Sequence, residues 1–225
     1  EDGVLKNQGR IDEEINEEWL ADKSRNACDG LKYQRLDQPY IRKNQRLEPA
    51  SWLEAFTCIS EKVSSTPAHR IGCIAGDLID CESMLVMKDL LVRLGAEHYD
   101  CRQDGSNLSA NHRSSYLFNT SISGIDKADA ILLIGTNPRK EAPILNARIR
   151  KAFLNNSAKI GLIGPIVDLT YDYQHLSDNP TVIKDIVDGV NSFSDVLKCS
   201  KRPMLILGGA ALNRTDTDAL LYLCY

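Results

Sequence analysis

The clearest pattern along the chain is a short apolar run followed by a helical repeat. Residues 130–134 (A-I-L-L-I) are all apolar, which is typical of a strand buried on both faces of a parallel sheet. Pro143 suits the first turn of a helix. From there, two kinds of side chain separate onto opposite sides at helical spacing: Leu145, Ile149 and Phe153 on one, Arg148, Arg150 and Lys151 on the other. The pattern predicts a strand, a tight polar turn and an amphipathic helix.

Similar runs at residues 71–75, 160–163 and 204–207 predict three further strands. The first is followed by a helical repeat that ends at Gly95, and a short helix is predicted over Val182–Val187. Because all four strands precede a helical pattern, we expect an α/β fold. Its sheet is predicted to be mostly parallel and Rossmann-like, with helices on both faces.

Local signals predict the remaining elements. Residues 40–42 read as a short strand, and Ser51 with Glu54 forms a capping-box sequence that starts a helix. Residues 102–124 are polar and weakly periodic, which predicts an irregular connection with one short helix around Tyr116. The apolar face of the capped helix is predicted to consist of Phe56, Ile59 and Val63.

The first thirty residues differ from the rest because they are polar and rich in acidic side chains. Four apolar residues at helical spacing predict an amphipathic helix that docks on the main domain or on a partner: Ile11, Ile15, Trp19 and Leu20. We divide the chain into a leader and short-strand region at 1–50 and a truncated α/β domain at 51–225. The chain opens with Glu1 and stops within an apparent helix, so we expect a segment of a longer protein.

The turn after residues 130–134 is the candidate binding site: Gly135, Thr136, Asn137 and Pro138. In open α/β sheets such a turn lies at the carboxyl edge, where backbone N–H groups and a helix dipole can meet a phosphate. The same residues can serve only to reverse the chain. In that interpretation, the Asn137 side chain holds the turn by bonding nearby backbone.

Composition narrows the function classes. The chain has 225 residues, 43% hydrophobic and 26% charged, with a net charge of −4, which argues against a general nucleic-acid or membrane surface. Seven cysteines are scattered without a C-x-x-C pair, so they suggest neither a zinc nor a cluster quartet. The histidines His69, His98, His112 and His175 are equally dispersed. We therefore expect no catalytic residue and no metal ligand.

Several stretches carry a resemblance to a known family. They are N-E-E-W-L-A-D-K-S-R (16–25), Q-R-L-D-Q-P-Y-I-R (34–42), L-E-P-A-S-W (47–52), L-I-G-T-N-P-R-K-E-A-P-I-L-N-A-R-I-R-K (133–151) and D-L-T-Y-D-Y-Q-H-L (168–176). Together they resemble the large iron-sulfur subunit of respiratory complex I, the G subunit of NADH-quinone oxidoreductase, of the mitochondrial and α-proteobacterial type. Only its molybdopterin-oxidoreductase-like region is recognised, after iron-sulfur domains that are expected to be absent.

The resemblance implies a role in a larger enzyme. Complex I transfers electrons from NADH through FMN and iron-sulfur clusters to quinone, coupled to proton translocation. The resemblance implies that the full-length subunit carries [4Fe-4S] and [2Fe-2S] clusters, with none in this segment. It also implies contacts with other complex I subunits, including the NADH-binding flavoprotein subunit. The protein would be peripheral, on the cytoplasmic or matrix side of the membrane, and would contact the membrane only through the assembled complex.

A molybdopterin-dependent oxidoreductase such as formate dehydrogenase is the alternative. In those enzymes the G-x-N-P turn lies against the nucleotide part of a molybdopterin guanine dinucleotide, and a segment similar to residues 16–24 carries a cluster cysteine. Here Ala21 stands in place of that cysteine, although Lys23 remains. Cys28 is interpreted as structural. A third hypothesis, a nucleotide-binding module, lacks a G-x-G-x-x-G after any strand. The sequence therefore favours a non-catalytic scaffold whose G-T-N-P pocket is vestigial.

Overall fold

The computed structural model describes residues 4, 6–31, 33–102, 104–108 and 113–225. Contacts divide the chain into two compact units, one with residues 29–102 among those described and one with Val4–Cys28 and Asp104–Tyr225. The division of the chain at residue 50 stays a prediction.

The described residues form eight strands and nine α-helices. The strands are β1 (Tyr40–Lys43), β2 (Arg46–Pro49), β3 (Gly72–Ile74), β4 (His98–Asp100), β5 (Ala130–Ile134), β6 (Lys159–Ile163), β7 (Gln174–Ser177) and β8 (Pro203–Leu207). The helices are α1 (Asp22–Asn26), α2 (Trp52–Ser65), α3 (Cys81–Leu94), α4 (Pro138–Glu141), α5 (Pro143–Asn156), α6 (Val182–Val187), α7 (Phe193–Cys199), α8 (Gly209–Leu212) and α9 (Thr217–Cys224). Short 3-10 helices cover Ala27–Leu31, Ala68–Arg70, Arg113–Ser115 and Ser123–Lys127.

The first unit contains two small sheets. Strands β1 and β2 form an antiparallel hairpin, whose turn residues Asn44 and Gln45 both have positive φ, as tight hairpins require. Helix α2 begins at the predicted capping box: the Ser51 hydroxyl accepts from the Glu54 amide at 3.2 Å, and the Glu54 carboxylate accepts from the Ser51 amide at 2.8 Å. This start and the end of α3 at Gly95 are confirmed.

Strand β3 differs from the prediction of a buried strand. Its Ile74 side chain is 73% exposed, and β3 pairs in parallel only with β4, which the sequence analysis missed. The predicted apolar face of α2 is also largely open, since Phe56 and Ile59 are exposed. Apolar composition predicted these elements correctly, but it did not predict that they would be left uncovered.

The second unit is built on a four-stranded parallel sheet in the order β7-β6-β5-β8. Central strand β5 pairs with β6 on one side and β8 on the other, and its five residues are all buried. Residues 71–75 were predicted as one of four strands, but the fourth strand of this sheet is β7, whose polar sequence Q-H-L-S concealed it. The fold is therefore a mixed α/β fold with a parallel sheet.

Helices cover both faces of this sheet. Alternate residues of β5 point to opposite sides, so Ile131 and Leu133 pack in one cluster with Ile149 of α5, and Leu132 and Ile134 pack in the other. The second cluster contains residues of α6, α7 and α9, of which α7 was not predicted. The turn into β5 is held by the Asp129 carboxylate, whose pKa is lowered because it accepts the amide hydrogens of Lys201 and Arg202.

Arg148 is wrongly placed by the helical pattern. It was assigned to the polar side of α5 with Arg150 and Lys151, yet its side chain is only 5% exposed. Its guanidinium donates to the Glu13 carbonyl at 2.7 Å and to the Asp126 carboxylate at 2.7 Å. A buried cation requires such partners, and these lie far from α5 in sequence. Periodicity within α5 could not reveal them.

The leader helix predicted from Ile11, Ile15, Trp19 and Leu20 is also wrong. Residues 12–17 form a turn in which Asp12 and Glu17 pair as an isolated antiparallel bridge. Acidic residues four positions apart, such as Glu13 and Glu17, repel each other on a helix. In addition, Arg148 takes the carbonyls of Glu13 and Ile15, which a helix would use internally.

The predicted irregular connection is confirmed where it is described, with 3-10 turns at Arg113–Ser115 and Ser123–Lys127. His112 and residues 103 and 109–111 lie outside the described residues. Over the described part of the chain, no helix is long and apolar enough to cross a membrane.

A buried polar pair between α5 and the loop before β7 provides a test of the core. The Tyr171 hydroxyl donates to Asn146 Oδ1 at 2.8 Å, and burial raises the pKa of Tyr171. We expect Tyr171→Phe to lower the free energy of unfolding by about 1–2 kcal/mol, because the buried Asn146 oxygen loses its donor. Urea denaturation measures this change. The control Tyr222→Phe removes a hydroxyl from an exposed ring, and an equal loss there would contradict the explanation.

Candidate functional site

The candidate site lies where the order of strands reverses. From β5 the chain moves outward to β6 and β7, and then returns to β8 on the other side of β5. Ligands of open α/β sheets bind outside the carboxyl ends of the strands at such a switch point. The predicted Gly135-Thr136-Asn137-Pro138 turn follows β5, and Gly208 follows β8. The topology therefore places the predicted site residues in the position that the sequence indicated.

The two turns at this point are in close contact. The Gly208 amide donates to the Ile134 carbonyl at 2.9 Å, and a Cβ on Gly208 would lie 2.3 Å from the Gly135 carbonyl oxygen. Gly135 itself has φ of 59°, and a Cβ there would lie 2.8 Å from the Ala211 amide nitrogen. Both glycines are needed because backbone meets backbone. The crevice between β5 and β8 is occupied by these turns.

Glu141 occupies two hydrogen-bond donors of the predicted site. Its carboxylate accepts from the Asn137 amide at 2.7 Å and from the Thr136 hydroxyl at 3.0 Å. Pro138 has no N–H, so it offers no further donor. Glu141 was missed by the sequence analysis, although it lies four residues after Asn137, which is one helical turn. The protein supplies its own anion at this turn.

The role predicted for the Asn137 side chain is wrong. Its Oδ1 atom is buried and accepts no hydrogen bond from the described residues. The main chain holds the turn instead, because the Asn137 carbonyl accepts from the amides of Lys140 and Glu141 at 3.0 and 2.9 Å. A short side chain of this type often bonds the local backbone, but Glu141 already satisfies the available amide.

Helix α4, which contains Glu141, also carries an ion pair with the loop before β7. Arg139 of α4 pairs with the Asp168 carboxylate, which also accepts the Thr170 amide at 3.0 Å. The Thr170 amide and then the Arg139 guanidinium lower the pKa of Asp168. Both charged side chains are largely exposed, so we attribute little stability to the pair. The pair connects α4 to the loop before β7.

The donor set does not fit the phosphate of a dinucleotide. Phosphate sites at such turns use free backbone N–H groups, and a carboxylate bonded to the same donors competes with the phosphate and repels it. Here the Asn137 amide and the Thr136 hydroxyl are already bonded to a carboxylate. A phosphate would have to displace Glu141 and then face its charge.

The positions of the cysteines and histidines bear on iron-sulfur and metal ligation. A [4Fe-4S] cluster uses four thiolates, and residues 2–29 contain one cysteine, Cys28, which is buried. Among the residues whose positions are described, no three His, Cys, Asp or Glu side chains come together as a metal site. The metal content of the chain stays a prediction.

Family models match almost the whole chain. The model of the molybdopterin oxidoreductase family matches residues 35–223. The chain belongs to the molybdopterin oxidoreductase family. A second model, the 4Fe-4S domain of NADH-ubiquinone oxidoreductase NDSU1/NuoG-like proteins, matches residues 2–29. This corrects the expectation that the iron-sulfur domains are absent, because part of one is present in the leader.

Individual relatives confirm the resemblance to the large iron-sulfur subunit of complex I. The chain is 44% identical to the G subunit of NADH-quinone oxidoreductase of Rickettsia felis, over all of its own length and 33% of that protein. It is 43% identical to the mitochondrial NADH dehydrogenase [ubiquinone] iron-sulfur protein 1 of Solanum tuberosum, over 96% of the chain and 30% of that protein. The chain thus spans about a third of the length of these relatives.

The contact between the two turns predicts the effect of adding one methyl group. Gly208→Ala should lower the free energy of unfolding by at least about 2 kcal/mol, because the new Cβ would lie 2.3 Å from the Gly135 carbonyl oxygen and 2.4 Å from Thr136 Cβ. Gly209→Ala is the matched control, since a Cβ there meets nothing within 4 Å. Thermal denaturation compares the two variants. Equal melting temperatures would show that the turns are not packed as described.

Proposed function

We propose that the chain is a segment of the G subunit of NADH-quinone oxidoreductase and acts there as a non-catalytic scaffold. The observation that carries this proposal is the Glu141 carboxylate bonded to the Asn137 amide and the Thr136 hydroxyl. In this position the carboxylate excludes a nucleotide phosphate from the Gly135-Thr136-Asn137-Pro138 turn. The pocket is vestigial, and no catalytic or metal-binding residue is assigned.

The fold within the family is proposed to be Rossmann-like. Its support is the parallel order β7-β6-β5-β8, the reversal of strand order at β5 and β8, and apolar clusters on both faces of the sheet. Doubly wound nucleotide-binding folds share these features. The scaffold would then keep the architecture of a nucleotide-binding domain after the site itself has closed.

The activity of the whole enzyme follows from the relatives. The two relatives described above are named as a subunit of NADH-quinone oxidoreductase and as an NADH dehydrogenase iron-sulfur protein. We infer that the parent protein takes part in electron transfer from NADH through FMN and its [4Fe-4S] and [2Fe-2S] clusters to quinone, coupled to proton translocation. The segment alone carries no cofactor and is inactive.

Partners and location follow from the same assignment. Other subunits of the complex would bind this protein, including the NADH-binding flavoprotein subunit, and nucleic acid would not. The protein would be peripheral, on the cytoplasmic side of a bacterial inner membrane or the matrix side in mitochondria. The net charge of −4 is consistent with protein partners rather than with an anionic surface.

A molybdopterin-dependent oxidoreductase such as formate dehydrogenase is not favoured. Ala21 replaces the cluster cysteine that the resemblance identifies in those enzymes, and alanine cannot ligate iron. The closure of the turn by Glu141 disfavours the nucleotide part of its cofactor as well.

The scaffold proposal predicts that the purified chain contains no stoichiometric iron or molybdenum and does not bind GDP, which represents the nucleotide part of the cofactor. Elemental analysis, visible absorption with and without dithionite, and calorimetric titration with GDP measure these properties. One equivalent of either metal, together with a visible absorption band that dithionite bleaches, would contradict the scaffold proposal and favour a molybdopterin-dependent oxidoreductase. Micromolar binding of GDP to the wild-type chain would show that the pocket is functional.

A further inference from the structure

The leader buries little apolar surface where residues 10–19 pack beside helix α5. Of the four apolar residues predicted to form a docking face, Ile11, Ile15 and Trp19 are 70%, 49% and 56% exposed, and Leu20 is partly buried. A groove lined by Trp19, Ala147 and Leu154 runs beside helix α5 but leaves these side chains open to solvent. Hydrophobic burial therefore contributes little to the position of residues 10–19 within the second unit.

Polar contacts with one helix account for it instead. The hydrogen bonds and ion pairs described between residues 6–20 and residues 104–225 all end on Arg148 or Lys151. The Arg148 guanidinium donates to the Glu13 carbonyl at 2.7 Å and to the Ile15 carbonyl at 3.2 and 3.3 Å. It also lies 3.2 Å from the Glu17 carboxylate.

The other side of Arg148 is held by the main domain. Its Nη1 atom lies 2.7 Å from the Asp126 carboxylate, so one guanidinium joins both segments. Lys151 pairs with Glu17 and lies 3.6 Å from Asp126. The Lys151 ammonium, with a smaller effect of Arg148, lowers the pKa of Glu17. Each nitrogen of the buried guanidinium thus donates to at least one acceptor, as a buried cation requires.

The backbone of the leader is strained at the point of attachment. Glu17 has φ of 53°, in the left-handed region that a non-glycine residue seldom adopts. Such a conformation persists where the surroundings impose it. Here the bridge to Asp12, with N···O distances of 2.9 and 2.7 Å, and the pairing with Arg148 and Lys151 impose it together.

We propose that Arg148 is a positioning residue that locks the region matched by the 4Fe-4S domain model onto helix α5. Residues 2–29 belong to that model and residues 35–223 to the molybdopterin oxidoreductase model, so Arg148 joins two regions of different family origin. The lock is polar and local, and its opening leaves the sheet around β5 intact. The inference goes beyond the proposed function, since it holds whatever the chain's metal and nucleotide content.

Amide hydrogen exchange of the purified chain tests this proposal. Arg148→Met should accelerate exchange at the Ile15 and Glu17 amides at least about tenfold, because hydrogen bonds to a charged group are the stronger class. Exchange within β5 and β6 should stay unchanged, since methionine fills the site without a buried charge and Lys151 still pairs with the carboxylates. Arg148→Lys should restore part of the protection, because one ammonium cannot reach Asp126 and both carbonyls.

Two further variants make the test decisive. Arg139→Met is the matched control, since it removes an ion pair with Asp168 that does not touch the leader, and it should leave exchange at residues 12–17 unchanged. Glu17→Gln weakens the lock from the leader side, and it replaces Arg148→Met if that variant does not fold. Unchanged protection at Ile15 and Glu17 would overturn the proposal, and so would acceleration that spreads equally through β5 and β6.

Discussion

Burial of strand β5 on both faces is the constraint on which the rest of the second unit depends. Its five apolar residues pair with β6 and β8, and alternate side chains enter two different clusters. A strand without a polar face has no solvent side, so helices must cover it on both sides. Helix α5 therefore has to return across the sheet directly after the strand, and a tight turn has to fit between them.

The closure of the candidate site follows from the same constraint. The turn after β5 comes so close to the turn after β8 that glycine is required at both Gly135 and Gly208. A turn packed this tightly leaves an amide without a backbone partner, and Glu141 satisfies it with a carboxylate. The anion that a nucleotide would bring is thus provided by the chain. In the proposed scaffold role, this internal acceptor takes the place of a ligand phosphate.

The sequence predicted the elements whose signal lies within them. The apolar run of β5, the capping box at Ser51 and the glycine end of α3 were found because each depends on neighbouring residues. Strand β7 and the burial of Arg148 were missed because they depend on segments distant in the chain. The candidate turn was placed correctly for the first reason, while Glu141 and the contact with Gly208 were missed, since neither spacing alone nor composition reveals which atoms meet.

Arg148 shows why the leader was misread in particular. A helical repeat of Ile11, Ile15 and Trp19 predicts an apolar face, but burying that face requires a complementary surface. Helix α5 offers a cation instead, and a buried guanidinium gains more from the carbonyls of Glu13 and Ile15 than it would from apolar neighbours. Those carbonyls are bonded to Arg148 in a non-helical turn, and the apolar side chains of that turn stay exposed. The exposure of Trp19 and the burial of Arg148 therefore go together, because both follow from the polar contact between the leader and α5. Neither the leader sequence nor the α5 sequence predicts this contact alone.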